Sequence, residues 1–317
     1  TLKYMTSFDL NEDVNTHDIY LEFKAVNASA TVYLNDELVG KHDGGYSVFR
    51  FDITKFVKPH NELVVLVDNS ENDKVYPQKA DFTFYGGIYR DVNLLILDKD
   101  HFDYDYFGAL PIKIDPVVSN NEGKVVVEAF TKSNKDIIIE IYDAENNLIK
   151  TAKNKEEIVI NNPHLWNGKK DPYLYVAKAK LMDNDKVIDE VSHQFGFRTF
   201  TYDSKKGFFL NGVSYPLRGV SRHQDRLLKG NAISKEDQEE DMKLILDIGA
   251  NTVRLAHYQH DDYFLDLCDK YGLVIWAEVP YISKHMPNAK DNIEQQLKEL
   301  IYQQYNHPSI AVWGISK

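Results

Sequence analysis

Three short runs in the last third of the chain set charged, imidazole and aromatic side chains beside apolar stretches. They are Arg222-His223-Gln224-Asp225, His257-Tyr258 and Trp276-Ala277-Glu278, and Arg254 lies inside the apolar stretch just before His257. Such residues can hydrogen-bond a neutral polar ligand through imidazole, hold a carboxylate ionised beside a guanidinium, or chelate a metal. Each also has a purely structural reading. Arg254 and Glu278 can form an internal ion pair, which makes Glu278 an arginine partner sooner than a catalytic carboxylate. His223 and His257 can be satisfied core histidines. Asp225 and Asp261 read as caps or solvated loop residues. A metal set of His257, His260 and Asp261 lacks the i, i+4 spacing of a helical zinc pair. Cys268 falls in a helical apolar pattern and reads as core. No nucleophile elbow of the Gly-x-Ser-x-Gly type is present.

The elements that must position these residues alternate between strand and helix. Phe208–Leu210 and Val213–Tyr215 flank Asn211-Gly212, a two-residue hairpin turn. Strands are then expected at Leu217–Arg222, Thr252–His257, Leu273–Val279 and Ile310–Ser316. Helices are expected over Ser234–Ile248, capped by Ser234 with Asp237 at the third position, over Asp261–Tyr271, ended by Gly272, and around Ile293, Leu297, Leu300 and Ile301. That is half of a (β/α)8 barrel, and in such barrels the carboxyl ends of the strands carry the active site. All three polar runs fall there. An open doubly wound sheet fits the same alternation but lacks a Gly-x-Gly-x-x-Gly turn after its first strand.

The first two thirds read as β modules. Ile19–Phe23, Ala30–Leu34, Ser47–Phe51, Leu63–Val67 and Val92–Leu97 alternate between turn signals such as Asn35-Asp36 and Asp43-Gly44-Gly45, which predicts a jelly-roll-like β-sandwich. Lys124–Phe130, Ile137–Tyr142, Ile158–Ile160, Tyr173–Lys180 and Val187–Phe195 predict an immunoglobulin-like β-sandwich. The expected organisation is multi-domain: 1–100 jelly roll, 101–199 immunoglobulin-like sandwich, 200–317 partial (β/α)8 TIM barrel. The chain opens on Thr1 and its last residues continue a strand pattern, so both ends are expected to be cuts, with the first strand or strands of the jelly roll missing.

Composition narrows the partners. The 317 residues carry a formal charge of −12, which argues against nucleic acid and against an anionic membrane surface. One cysteine excludes a disulfide framework and multi-cysteine metal sites, and fits a cytoplasmic protein. No apolar run reaches the length of a membrane span.

Several motifs together resemble family 2 glycoside hydrolases, most closely the β-galactosidases among them. They include His42-Asp43-Gly44-Gly45-Tyr46, Asp81-Phe82-Thr83-Phe84-Tyr85-Gly86-Gly87-Ile88-Tyr89-Arg90-Asp91-Val92, Leu165-Trp166 with Pro172-Tyr173-Leu174-Tyr175, and Gly196-Phe197-Arg198. In the barrel they are Gly219-Val220-Ser221-Arg222-His223, Asn251-Thr252-Val253-Arg254-Leu255-Ala256-His257-Tyr258, Gly272 to Trp276, Asn306-His307-Pro308-Ser309-Ile310 and Trp313-Gly314-Ile315-Ser316. The resemblance implies a retaining β-galactosidase that cleaves terminal β-D-galactosyl bonds with two glutamates. It implies that Asp81, His223 and His257 bind the sugar. It implies that Arg254 orients the nucleophile, with Glu278 and Arg222 as supporting residues.

In the family pattern the acid/base follows Trp-Gly-Ile-Ser as Asn-Glu. This chain carries Lys317 there, and the nucleophile belongs several strands further on. No catalytic residue is therefore assigned, and the 317 residues alone are expected to be inactive. The resemblance places sodium near Asp81. The magnesium ligands of the large bacterial enzymes fall near Ile282 and Lys284, so no magnesium site is expected. Gln259 replaces the usual proline after His-Tyr. The expected partner is a β-galactoside or related oligosaccharide, and the intact enzyme is expected to form a homo-oligomer. The alternatives are a β-glucuronidase, another family 2 glycosidase, or a non-catalytic carbohydrate-binding protein.

Overall fold

The computed structural model describes residues Thr1–Lys317. Up to Asp98 the period-two alternation folds as two facing antiparallel sheets. One has the spatial order Leu2–Asp9, His60–Asp68, Ser29–Leu34, Glu37–Asp43, and the other Phe49–Asp52, His17–Phe23, Val92–Asp98. Ala30, Val32 and Leu34 point inward while the residues between them are half-exposed, so the inner face joins Ile19, Leu21 and Phe23 in one core. Asn35 and Asp36 both have positive φ, 52° and 67°, the backbone that a two-residue hairpin turn requires. Seven further strands between Ile112 and Phe195 form sheets of three and four around a packed apolar core.

The three longest strands that lie where no strand was expected are Leu2–Asp9, Ile112–Ser119 and Leu148–Lys153. Each is at the edge of its sheet. Leu2–Asp9 pairs along its whole length with His60–Asp68 but is almost entirely exposed, so its sequence carries no buried face. Ile112–Ser119 contains Pro116, which an edge tolerates.

After a small meander (Phe200–Asp203, Gly207–Leu210, Val213–Ser214) come four parallel strands in sequential order: Gly219–Arg222, Thr252–Leu255, Val274–Glu278 and Ile310–Gly314. Between them run α1 (Lys235–Asp247), α2 (Asp262–Tyr271) and α3 (Lys290–Gln304). Ser234 starts α1 with a reciprocal box: Asp237 N donates to Ser234 Oγ at 3.1 Å and Ser234 N to Asp237 Oδ2 at 2.9 Å. Gly272 ends α2 in the left-handed region, φ 77°. Val253, Leu255, Ile275 and Ala277 pack against the helices, which turns Arg254, Trp276 and Glu278 to the inner face of the sheet.

The second strand stops at Leu255, two residues short of the expected end at His257. Gly314 faces Glu278 in the neighbouring strand. A Cβ at Gly314 would lie 2.4 Å from Trp276 Nε1 and 2.8 Å from Glu278 Cβ, so this position leaves the room those two side chains use. No helix is long and apolar enough to cross a membrane.

Candidate active site

The deepest part of the site is a three-residue cluster on the inner face. Arg254 donates from Nε (3.2 Å) and Nη2 (3.0 Å) to Glu278 Oε2, while His257 Nδ1 lies 2.8 Å from Glu278 Oε1. Both carboxylate oxygens of Glu278 are thus engaged, and the residue is buried. Glu278 is the partner that fixes a guanidinium and an imidazole. Its contact with Nδ1 assigns the His257 proton there, which leaves Nε2 as an acceptor. Arg254 Nη1 makes no hydrogen bond within the chain and is free to meet another carboxylate. The Ala256–His257 peptide bond is cis.

Above this cluster the loops of two domains meet. His223 Nδ1 lies 3.1 Å from the Tyr258 hydroxyl, which also accepts from Gln224 N at 3.3 Å. The Tyr258 ring stacks on Tyr46 of the first sandwich at 4.3 Å between centroids. Phe82, also from the first sandwich, sits 5.2 Å from the His223 ring, 5.9 Å from His257 and 5.2 Å from Tyr258. Arg90 holds the corner, donating to Gln224 Oε1 at 2.7 Å and to the Tyr46 carbonyl at 3.1 Å. Burial first, and the neighbouring His257 second, hold the His223 imidazole below its usual range. It is therefore neutral near pH 7 and can both donate to and accept from a hydroxyl. Asp81 is exposed beside Phe82, and its charge is felt at His223.

The structure therefore gathers Asp81, His223, His257, Arg254 and Glu278 at one end of the sheet. Arg222 departs from that set. Its guanidinium donates to Asp241 Oδ2 at 3.0 and 2.8 Å, lies 2.9 Å from His260 Nδ1 and covers the Phe264 ring at 3.8 Å. It ties the first strand to α1 and α2 and touches neither Arg254 nor Glu278, because alternation along Gly219–Arg222 turns it to the helix side.

The considered metal set of His257, His260 and Asp261 is likewise dispersed. His260 is bound by Arg222 and by the Ala256 carbonyl at 2.9 Å, and Asp261 caps α2 and accepts from Gln238 at 2.9 Å. For sodium, the residues around Asp81 offer a single carboxylate. The hollow beside it is lined by Lys79, Ala80, Ile282, Ser283 and Lys317, and two lysines do not fit a cation site. At the magnesium positions, the Ile282 and Lys284 side chains supply no oxygen ligand.

Phe82 and Tyr46 escaped the residue-level reading as site residues. Phe82 carried a usable signal, since it directly follows Asp81 in the same motif. Tyr46 closes the His42–Tyr46 motif, but nothing in that motif says that the docking of the two domains brings it to Tyr258.

Three models of one family match the chain in order. They are the sugar binding domain of glycosyl hydrolases family 2 over residues 1–98, glycosyl hydrolases family 2 over 111–198, and the family 2 TIM barrel domain over 203–317. A beta-glucuronidase of Bacteroides fragilis is 38% identical over 326 residues, covering 94% of this chain and 47% of that protein. A beta-galactosidase of Thermoanaerobacter pseudethanolicus is 31% identical over 334 residues, covering 98% and 44%. The crystal structure of an FMN-binding beta-glucuronidase from Facaelibacterium prausnitzii L2-6 superposes with a TM-score of 0.96 at 39% identity, over 99% of this chain and 51% of that one. The chain spans about half the length of the curated relatives it matches.

Proposed function

Because the chain belongs to glycosyl hydrolase family 2, we propose that it forms the sugar-recognising half of a retaining β-glycosidase whose first substrate class is the β-glucuronides. The observation that carries the glycosidase reading is the convergence of Asp81, Phe82, His223 and His257 above the Arg254–Glu278 pair. The Phe82 ring offers an apolar face to a sugar ring. Neutral His223 and the Nε2 of His257 meet its hydroxyls, contacts that can strengthen as the ring flattens toward an oxocarbenium ion. Arg254, braced by Glu278, turns its free Nη1 toward the nucleophile carboxylate and keeps that group ionised. The nucleophile and the acid/base, set about 5–5.5 Å apart in retaining enzymes, are contributed from outside these 317 residues, which by themselves turn over no glycoside.

The glucuronide reading departs from the galactoside that the motifs suggest. It is supported by relatives: glucuronidases reach 38–39% identity, whereas galactosidases reach 31–32%, or 36% with a putative one counted. The Trp313-Gly314-Ile315-Ser316 run favours the galactoside as the second reading. The test is kcat/KM of the full-length polypeptide on p-nitrophenyl β-glucuronide and β-galactoside. A preference of tenfold or more for the glucuronide supports the first reading, and the reverse preference establishes the second. Turnover of neither substrate, with binding retained, leaves a carbohydrate-binding protein. Turnover by the 317-residue chain alone would overturn the assignment of the catalytic pair to residues outside it.

A further inference from the structure

Away from the mouth, four potential ligands from three parts of the chain converge on the outer side of α2. They are His193 from the last strand of the second sandwich, Asp262 and Asp266 from α2, and His307 from the turn before the fourth barrel strand. One ligand atom of each lies within 4.8 Å of all the others.

The surroundings are arranged as they are around metal-bound histidines, whose second nitrogen is held by a carboxylate or a backbone carbonyl. His193 Nδ1 lies 2.6 Å from the Gln194 carbonyl, so Nε2 keeps its lone pair, and no donor in the chain meets it. His307 Nδ1 lies 2.6 Å from Asp269 Oδ2. Asp269 is itself fixed by Ser309 Oγ at 2.6 Å, Ser309 N at 3.2 Å and Gln194 Nε2 at 3.0 Å. His307 Nε2 lies 2.6 Å from Asp262 Oδ1. The His193 Nε2 lone pair and the Asp262 and Asp266 carboxylates thus share one small space with His307 Nε2, a set of acceptors that a cation can draw together.

We propose that His193, Asp262, Asp266 and His307 form a binding site for one divalent transition-metal ion, zinc in the first instance, that ties the second sandwich to the barrel. Two imidazoles and two carboxylates are a zinc-type donor set, whereas calcium and magnesium take oxygen alone. Two carboxylates balance the ion's charge. On binding, His307 releases its Nε2 proton to solvent and turns that lone pair to the metal, while Nδ1–H stays on Asp269. Zinc bonds of about 2.0–2.2 Å require the four donor atoms to draw in, which side-chain rotation at half-exposed Asp262 and Asp266 allows.

The experiment titrates Zn2+ into the chelator-stripped, full-length protein by calorimetry. Parallel melts are recorded, and Co2+ is used as a visible-absorption probe of a nitrogen–oxygen site. His193→Gln and Asp266→Asn are the variants, because neither residue hydrogen-bonds to His307 or Asp269, although Asp266 Oδ1 stands 3.8 Å from His307 Nδ1; equal melting temperatures in chelator check that both fold. One saturable site is expected, with a zinc-induced rise in Tm. Each variant should weaken it at least tenfold and abolish the Co2+ bands. The proposal is overturned if zinc binds no better to the parent than to both variants, which would place the metal on surface groups such as His60 with Asp9 and Glu62. It is also overturned if Ca2+ binds as tightly as Zn2+.

Discussion

Where α3 meets the first sandwich, most of the contacts are neutral amides. Asn292 Oδ1 accepts from Tyr76 N at 2.9 Å, Gln296 Nε2 donates to the Tyr76 carbonyl at 3.1 Å, and Gln303 exchanges two bonds with Val48 at 3.0 and 2.8 Å. One carboxylate, Glu299, takes part through Ser47 and His42. Where α2 and the fourth strand meet the second sandwich, the contacts are charged and buried. Asp269 is fully buried and gathers His307, Ser309 and Gln194. Nearby, the buried Trp166 indole donates to the Asp269 carbonyl at 2.9 Å.

The first junction carries Asp81 and Phe82 over the mouth of the barrel, and the second clamps the sheet from below and outside. A neutral hydrogen bond contributes about 0.5–1.5 kcal/mol net, whereas stripping the partner from a buried charge costs about 3–5 kcal/mol. Losses at the first junction are graded and felt in substrate handling. Losses at the second are felt in folding.

The largest effect should come from Asp269→Ala, with a loss of about 3–5 kcal/mol in urea unfolding of the full-length protein, because His307 and Ser309 lose their common acceptor together. Gln296→Ala should cost about 1 kcal/mol in the same assay. Equal losses from the two substitutions would erase the distinction between the junctions.

Next in size are changes at the mouth. Phe82→Ala, Asp81→Ala and His223→Ala should each lower kcat/KM of the full-length enzyme, Phe82→Ala by about tenfold, since an aromatic contact is worth about 0.5–1.5 kcal/mol. Melting temperatures should stay near that of the parent. A cooperative loss of structure in any of the three would move these residues to the structural side of the comparison.

The two junctions also differ in how much of them the sequence disclosed. α1 announced its start, through Ser234 with Asp237, and α2 its end, through Gly272, because caps are local chemistry. Central strands such as Ser29–Leu34 were legible from their alternation. The edge strands Leu2–Asp9, Ile112–Ser119 and Leu148–Lys153 were not, since an edge held by backbone bonds requires no buried side-chain face. The Arg254–Glu278 pair was foreseeable because neighbouring parallel strands in register bring such residues together. Arg222 was misplaced by one step of the same alternation. The amides of α3 lie off the stripe of Ile293, Leu297, Leu300 and Ile301 that marks the helix, and nothing in a single helix says that a domain lies across it.

The smallest effect concerns protons at the mouth. His223 is held below the usual histidine range chiefly by burial, and Phe82 is among the rings that bury it. Its folded-state pKa is therefore lower than its unfolded value of about 6.5. The unfolded chain takes up the proton first as the solution is acidified, so the stability linked to this residue is present above that value. It is lost as pH falls through the folded one. His223 is partly open to solvent, so the change in stability is slight and the clearer readout is recognition. A protonated ring can no longer accept from a sugar hydroxyl, and kcat/KM should fall on the acid side of the profile. Phe82→Ala opens the ring to water and relieves the burial, so that acid limb should move to higher pH by a few tenths of a unit, on the order of the smaller shifts seen in proteins. Gln296→Ala, which leaves His223 as buried as before, should not move it. An acid limb unmoved by Phe82→Ala, followed in parallel by NMR titration of the His223 ring, would show that the neighbouring His257 rather than burial sets the proton affinity.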